Sequence, residues 1–326
     1  MTVFWEKYGR NLRLTVLLIL ILILVPVLTL AAWAPHGVTD VKTAEALSAF
    51  DFSASVGRID RKLFTFYPGQ LYSPEDFAAS EYPASSPDVS DRKTVSCATC
   101  RLLLQLKEGQ TYGINADSAT YAQRVWVDGT LVSEVGQVSS DDASFVPETR
   151  NYTVYFTAGA GPTEIVMQRS NFVHESGDFF EINLGPSDQV ASMVMLRMSR
   201  VQMILGAMLT TMLFFFIASF IFSSGKELFY FTGLCAAITI RSSFVSPKPV
   251  MVLFPELNWY LGHKIECSAL MVGVLFFLLF FRAMYPGFVP RPFCLAGYAL
   301  AAAGIAVYLL LPSVIYSRMS QVLVYI

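Results

Sequence analysis

The stretch "RVWVDGTLVSEVG", Arg124 to Gly136, has the pattern of a β-hairpin and decides the fold of the segment around it. Apolar and polar residues alternate on both sides of Asp128-Gly129, and such alternation is typical of half-buried strands. Asp-Gly suits the two positive-φ positions of a type I′ turn, which joins antiparallel strands through two residues. The stretch therefore predicts a hairpin with its turn at Asp128 and Gly129.

Three further runs near this hairpin predict strands. "YTVYF" (Tyr152 to Phe156) and "TEIVMQRS" (Thr163 to Ser170) flank the turn-forming "TAGAGP". "LLLQL" (Leu102 to Leu106) is a continuous apolar run that fits a buried strand. Short strands at close spacing, with no helical period between them, indicate a β-sandwich of the jelly-roll type. We expect this domain to occupy residues 35–193.

The composition of the whole chain indicates a membrane protein. Of the 326 residues, 54% are hydrophobic and only 15% are charged, which is more apolar than an ordinary soluble enzyme. The formal net charge is −2 and the sequence has no run of Lys or Arg, so we expect no nucleic-acid partner. The lipid bilayer is the partner that the composition predicts.

The first apolar run, Leu14 to Ala34, follows three cationic residues and is long enough to cross a bilayer. Such flanking charge places the N-terminus in the cytoplasm and sends the next segment across the membrane. Residues 1–34 are either an uncleaved anchor or a secretory signal, because Ala32-Trp33-Ala34 has the form of a cleavage site. The length of the run and Pro35 after the cut favour the anchor.

Residues 194–326 contain four more apolar runs and predict a helical transmembrane domain. The closing "QVLVYI" looks like the start of another span, so we expect either a longer protein or a partner that completes the helix. The fold class predicted for the chain is therefore mixed: a membrane helix, an all-β domain and a helical bundle. The four runs are Val201 to Phe222, Leu228 to Val245, Ile265 to Phe281 and Phe293 to Leu311.

Several motifs, taken in order, resemble a known receptor family. They are the hairpin, "RSNFVHESGDFFEINLG", "LFYFTGLCAAITIRSSF" and "HKIECSALMVGVLFFLLFFRAMYP". Together they are similar to the bacterial seven-transmembrane receptors with diverse intracellular signalling modules. The resemblance implies a periplasmic jelly-roll domain, similar to carbohydrate-binding modules, joined through seven helices to a kinase, cyclase or other output module. It also implies a homodimer. The chain departs from the family by ending before the remaining spans and any output module.

Seven residues are predicted to contact a ligand, with carbohydrate as the class that the resemblance implies. Sugar recognition stacks an aromatic ring on the apolar face of a pyranose, while amides and charged groups bind its hydroxyls. The alternative is that these aromatic residues fill the core of the sandwich. Phe179 and Phe180 likewise either fill the core or face a ligand. The candidates are Tyr121, Arg124, Trp126, Asn171, Phe172, His174 and Asp178.

His174 and the three acids that follow it are ligand types that zinc accepts, but the pattern does not predict a metal site. The only other histidine of the domain is His36, and no nucleophile elbow or pair of spaced carboxylates is visible. We therefore expect no metal, cofactor or catalytic site. Instead, Ser170 and Asn171 should hydrogen-bond the backbone at a strand end, with Gly177 permitting the turn.

Cys97-Ala98-Thr99-Cys100 forms a C-x-x-C motif. In an oxidising periplasm this pair can close a small disulfide or act as a redox couple. Redox pairs place the first Cys at a helix start, whereas this motif leads into the predicted strand "LLLQL", so a Cys97–Cys100 structural disulfide is favoured. The other three cysteines lie in apolar runs and are expected to pack there.

Arg241 lies near the end of one predicted span and Glu266 near the start of the next, so hairpin geometry gives them similar depth. We predict an ion pair between them, which would fix two helices in one register. The receptor family that the chain resembles commonly has Glu at the position of Glu266, within an R-x-E pattern. In this chain Lys264 replaces the Arg of that pattern. The alternative is that Arg241 and Lys264 extend to the headgroups.

These observations predict the sensory and transmembrane part of a bacterial inner-membrane receptor, with its soluble domain in the periplasm. A periplasmic small molecule or glycan would shift the helices, and an output module outside this chain would respond. The alternative is a non-enzymatic membrane protein that binds a glycan or modulates another sensor. We expect no catalytic module within the chain, since the spans lack the His and Asp clusters that membrane enzymes use.

Overall fold

The computed structural model describes residues 37–79, 96–116, 122–173, 182–222, 225–244, 248–313 and 315–316, together with Leu20. These residues fall largely into two compact units, Pro35–Arg197 and Met198–Pro312. The first contains two β-sheets and the second contains helices. The predicted N-terminal membrane helix lies outside the described residues, apart from Leu20.

Ten strands form two five-stranded sheets in the described part of the first unit. The first sheet has the order β1-β2-β10-β5-β8 and the second has the order β3-β4-β9-β6-β7. β1 and β2 pair in parallel, and every other pair is antiparallel. The strands are β1 Val38–Val41, β2 Val56–Ile59, β3 Thr65–Pro68, β4 Cys97–Leu104, β5 Thr111–Ala116, β6 Ala122–Val127, β7 Thr130–Val135, β8 Tyr152–Thr157, β9 Thr163–Ser170 and β10 Ile182–Pro186.

The two sheets pack around one apolar core. Ile114 and Leu184 contribute from the first sheet, and Val125, Ile165 and Met167 contribute from the second; all are at most 1% exposed. Fully burying such a side chain stabilises the fold by about 1.5–3 kcal/mol. The predicted β-sandwich is therefore confirmed. From β3 onward the chain crosses repeatedly between the two sheets.

The central hairpin is confirmed. β6 and β7 are joined by two residues, and both have positive φ, 48° at Asp128 and 79° at Gly129. Asp128 also fixes the turn to β9, because its Oδ1 accepts a hydrogen bond of 2.7 Å from the N–H of Glu164. The strands predicted at Tyr152 and Thr163 correspond to β8 and β9.

The strand predicted from "LLLQL" starts earlier than expected and is not buried on both faces. β4 begins at Cys97 and ends at Leu104. Leu102 and Leu104 are 3% and 5% exposed, whereas Leu103 is 52% exposed. Successive side chains of a strand point to opposite faces, so only every second leucine reaches the core. An uninterrupted apolar run can therefore belong to a strand that has one face in the core and the other face partly exposed.

Helices coincide with all four apolar runs of residues 194–326. Three of the helices, α3, α6 and α7, are long and apolar enough to cross a membrane, whereas α4 is not among them. These three helices fit membrane association. The long helices are α3 Ser187–Ile221, α4 Gly225–Phe244, α6 Trp259–Met284 and α7 Arg291–Leu310; the short ones are α1 Ala44–Ala49, α2 Pro74–Ala78 and α5 Pro249–Leu253.

In the second unit, α4 and α6 pack antiparallel, and so do α6 and α7. Small residues allow these close approaches: a Cβ at Gly273 would lie 3.6 Å from Ala237, and one at Gly262 would lie 3.3 Å from the Phe244 ring. The C-terminal end of α4 therefore lies beside the N-terminal end of α6. From one end to the other, the contacts are Phe231–Phe280, Ala237–Gly273 and Phe244–Gly262 for α4 with α6, and Leu278–Gly297, Met271–Gly304 and Lys264–Leu309 for α6 with α7.

Candidate functional site

The outer face of the second sheet carries two rows of side chains that cross its five strands. The strand register aligns these residues, and their neighbours along each strand point into the core, so both rows face away from it. The first row mixes polar, charged and aromatic groups. It consists of Tyr67, Thr99, Gln168, Arg124 and Glu134, and the second row consists of Thr65, Arg101, Val166, Trp126 and Leu131.

Two of the predicted ligand residues, Arg124 and Trp126, lie together on this outer face. The Trp126 ring is partly buried and packs against a cluster that contains Tyr67, Phe77 and Val166. Arg124 Nε lies 2.6 Å from Glu134 Oε1, and about a third of the Arg124 side chain is exposed. The face thus offers an aromatic surface beside a charged pair that reaches solvent.

Residues 69–79, which we call the strap, cover the β3 and β4 side of this face. The Thr99 hydroxyl accepts a hydrogen bond from the N–H of Tyr72 and donates one to the carbonyl of Gln70, both at 2.8 Å. Phe77 of the strap lies under the Arg101 guanidinium, 4.7 Å from it to the ring centre. The strap explains why Thr99 is fully buried although it points away from the core.

The strap contains α2, whose N-terminus is capped by its own sequence. The Ser73 hydroxyl accepts from the N–H of Asp76, and the Asp76 carboxylate accepts from the N–H and hydroxyl of Ser73. The hydrogen bond from the Ser73 N–H contributes most, followed by the one from the Ser73 hydroxyl, and together they lower the pKa of the Asp76 carboxyl below its usual range. Capping of this kind stabilises a helix that is too short to persist alone.

Below the strap, Arg101 and Glu164 form an ion pair across β4 and β9. Arg101 Nε lies 2.6 Å from Glu164 Oε1, and each side chain is about one-fifth exposed. Because Phe77 covers the guanidinium, this pair joins the strap to the sheet. The Arg101–Glu164 pair therefore lies on the side of the outer face that the strap covers, whereas the Arg124–Glu134 pair lies on the side that the strap leaves open.

Asn171 and Ser170 hydrogen-bond the backbone at the end of β9, as the sequence predicts. Asn171 Oδ1 accepts from the N–H of Val173 at 3.2 Å, and Ser170 Oγ accepts from the N–H of Ser139 at 3.0 Å. Phe172 is partly buried and packs on Phe145, with ring centres 5.4 Å apart. Both candidate ligand residues of this segment, Asn171 and Phe172, are therefore engaged in local packing.

The remaining candidate ligand residues, Tyr121, His174 and Asp178, lie outside the described residues, as do Gly177, Phe179 and Phe180. Their roles stay predictions. Within the described ranges, no group of three or more His, Cys, Asp or Glu side chains is placed to hold a metal ion.

The predicted Cys97–Cys100 disulfide is not formed in the structure. Both cysteines are buried within the continuous strand β4, and no disulfide joins them. Residues three apart on a strand are separated by about 10 Å and point to opposite faces, whereas a disulfide needs Cα atoms within about 7 Å. Cys100 points into the core, and Cys97 points to the outer face opposite Ser170.

The predicted ion pair between Arg241 and Glu266 is also not formed. Among the described residues, Glu266 instead pairs with His263, with Oε2 3.6 Å from Nδ1. The His263 ring stacks on Trp259, with ring centres 5.2 Å apart. His263 and Glu266 are three residues apart on one helix, a spacing that brings side chains together and could have predicted the contact. Lys264 donates to the carbonyl of Leu309 at 2.8 Å and so joins α6 to the end of α7.

Comparison with known proteins gives a weak structural likeness only. No family model matches the chain, and no curated protein matches it. Two crystal structures of a GH2 β-galacturonidase from Eisenbergiella tayi, one bound to galacturonate and one to glycerol, match with a TM-score of 0.28 and 10% sequence identity. Each match covers 43% of this chain and 26% of the galacturonidase chain. We draw no functional conclusion from a likeness of this degree.

Proposed function

We propose that this chain is the sensory and transmembrane part of a bacterial inner-membrane receptor. Its β-sandwich lies in the periplasm and binds a small molecule or glycan, and its helices pass the signal to an output module outside this chain. The chain itself carries no catalytic module, and the receptor works as a homodimer. A sandwich followed by three membrane-length apolar helices supports this architecture.

The observation that carries the binding proposal is the position of Trp126. Its partly exposed ring lies on the outer face of the second sheet, two residues from Arg124, and Arg124 pairs with Glu134. A pyranose can stack its apolar face on an indole while its hydroxyls bond to neighbouring charged groups. Carbohydrate is the ligand class that this combination fits best.

A second observation supports signal transmission. β10 lies between β2 and β5 in the first sheet and continues without a break into α3, which starts at Ser187. The first turn of α3 is held on that sheet: Val190 is fully buried, and a Cβ at Gly113 would lie 2.9 Å from it. Gln189 donates to the carbonyl of Ala54 at 2.8 Å. Displacement of β10 would therefore move the start of α3.

Glycan binding to the full chain in lipid nanodiscs tests the proposal. We expect Trp126→Ala to weaken binding by roughly thirtyfold, because a central aromatic anchor contributes about 2 kcal/mol. Tyr155→Ala is the matched control, since Tyr155 is a 50% exposed aromatic residue of the first sheet. Uniformly absent binding across a glycan panel, or equal loss in both variants, would contradict the proposal.

A further inference from the structure

The loop between α4 and α6, residues 248–258, carries a continuous exposed apolar segment. It contains the short helix α5, and Val252, Leu253 and Phe254 are 65%, 74% and 61% exposed. Three large apolar side chains in a row on a protein surface mark an interaction surface, since water is a poor solvent for them. We call Val252–Phe254 the apolar tip.

The residues on both sides of the apolar tip pack against the helical unit. A Cβ at Gly262 in α6 would lie 3.2 Å from the Met251 methyl group and 3.5 Å from Leu257. Pro249 is buried at the start of α5. Residues on both sides of the apolar tip thus contact the helices, while the tip itself projects away from them.

The groups around the loop are those that mark the headgroup level of a bilayer. The loop leaves α4 at the end that carries Arg241 and enters α6 at the end that carries Tyr260 and Lys264. Tyr260 is 41% exposed. Tyrosine and long cationic side chains at the end of a membrane-length helix lie at the interface between water and lipid.

Arg241 adds a charge suited to lipid phosphate. Its side chain is partly exposed, and no acid among the described residues forms an ion pair with it; Glu266 pairs with His263 instead. A guanidinium is well matched to a phosphate oxygen pair. The acidic headgroups of a bilayer would supply that partner at the depth where the helix ends.

We propose that the apolar tip inserts into the interfacial region of the bilayer and that Arg241 contacts lipid phosphate beside it. The loop then acts as a lipid contact at one end of the α4 and α6 pair, rather than as an aqueous connection. The contact follows from α6 being a membrane-length helix and does not depend on ligand binding by the sandwich.

Fluorescence of an NBD label on the full chain in vesicles of phosphatidylcholine and phosphatidylglycerol tests the insertion. The label is attached to Leu253→Cys, and the unmodified chain, whose five cysteines are buried, serves as the labelling blank. Glu256→Cys is the matched control in the same loop, because Glu256 is exposed and charged. Phe254→Cys provides a second tip position if Leu253→Cys does not fold.

The expected result is blue-shifted emission at the tip, strong quenching by lipids labelled with doxyl near the headgroup, and weak quenching by aqueous iodide. The label at position 256 should show the opposite preference. Equal iodide quenching at both positions would overturn the proposal, because it would place the tip in water. Blue-shifted emission that doxyl lipids do not quench would also overturn it, because another protein surface would then cover the tip. Arg241→Gln should reduce the doxyl quenching at the tip, and the reduction should be larger when phosphatidylglycerol gives the surface a net negative charge. An unchanged signal in vesicles with and without phosphatidylglycerol would refute the phosphate contact.

Discussion

Leu102 and Leu103 are neighbours in β4, yet truncating them to Ala should have very different effects. Leu102 is 3% exposed and belongs to the core between the sheets, whereas Leu103 is 52% exposed on the outer face. Removing a buried leucine side chain costs about 2–5 kcal/mol through lost transfer energy and the cavity left behind. Truncation at the exposed site should change the free energy of unfolding by less than about 0.5 kcal/mol.

Thermal unfolding of the two variants, followed by near-ultraviolet circular dichroism, measures this difference. For a unit of this size we expect Leu102→Ala to lower the unfolding midpoint by roughly 5–15 °C and Leu103→Ala to leave it nearly unchanged. Leu104→Ala should behave like Leu102→Ala, since Leu104 is 5% exposed. Equal losses at positions 102 and 103, or a larger loss at 103, would refute the alternation of β4 and the sandwich built on it.

Four other outcomes follow from the first unit. Gly129→Ala should lower stability by about 1–2 kcal/mol, because Gly129 has a φ of 79° that a Cβ disfavours, while Gly161→Ala at an open position should not; chemical denaturation compares them. Cys97 and Cys100 should be alkylated only after unfolding, and mass spectrometry should find no mass change with reductant. Burial raises the pKa of the Cys97 thiol, so its contribution to stability should decline as pH rises above the pKa of the unfolded thiol. Asp76 has a lowered pKa, so its contribution should be present above the unfolded carboxyl pKa and lost as pH falls through the folded value; Asp76→Asn should remove this part of the pH dependence.

Local chemistry made the hairpin and the strands β8 and β9 predictable. The Asp128-Gly129 turn depends on two adjacent residues, and strand alternation depends on a few more. The same alternation was available for β4, where Ala98, Cys100, Leu102 and Leu104 take the inward positions. The C-x-x-C pattern predicts a pair of bonded thiols, whereas the extended geometry of β4 separates the two side chains.

The site was harder to predict because its parts come from distant segments. Arg124 and Trp126 are two residues apart on a strand, so their shared face follows from the sequence. Gln168 and Thr99 join Arg124 only through the register of β4, β9 and β6. The strap depends on hydrogen bonds between residues that are 27 and 29 positions apart. Hydrogen bonds between residues so far apart in the chain leave no local pattern in the sequence.

The central claim is that ligand binds against Trp126 on the outer face of the second sheet. The chain has four tryptophans, and replacing the other three, Trp5, Trp33 and Trp259, with Phe leaves Trp126 as the sole indole. Titration with a glycan that binds the full chain in nanodiscs should shift or quench the Trp126 emission with the same saturation curve as binding. Binding that leaves the Trp126 emission unchanged would contradict the account.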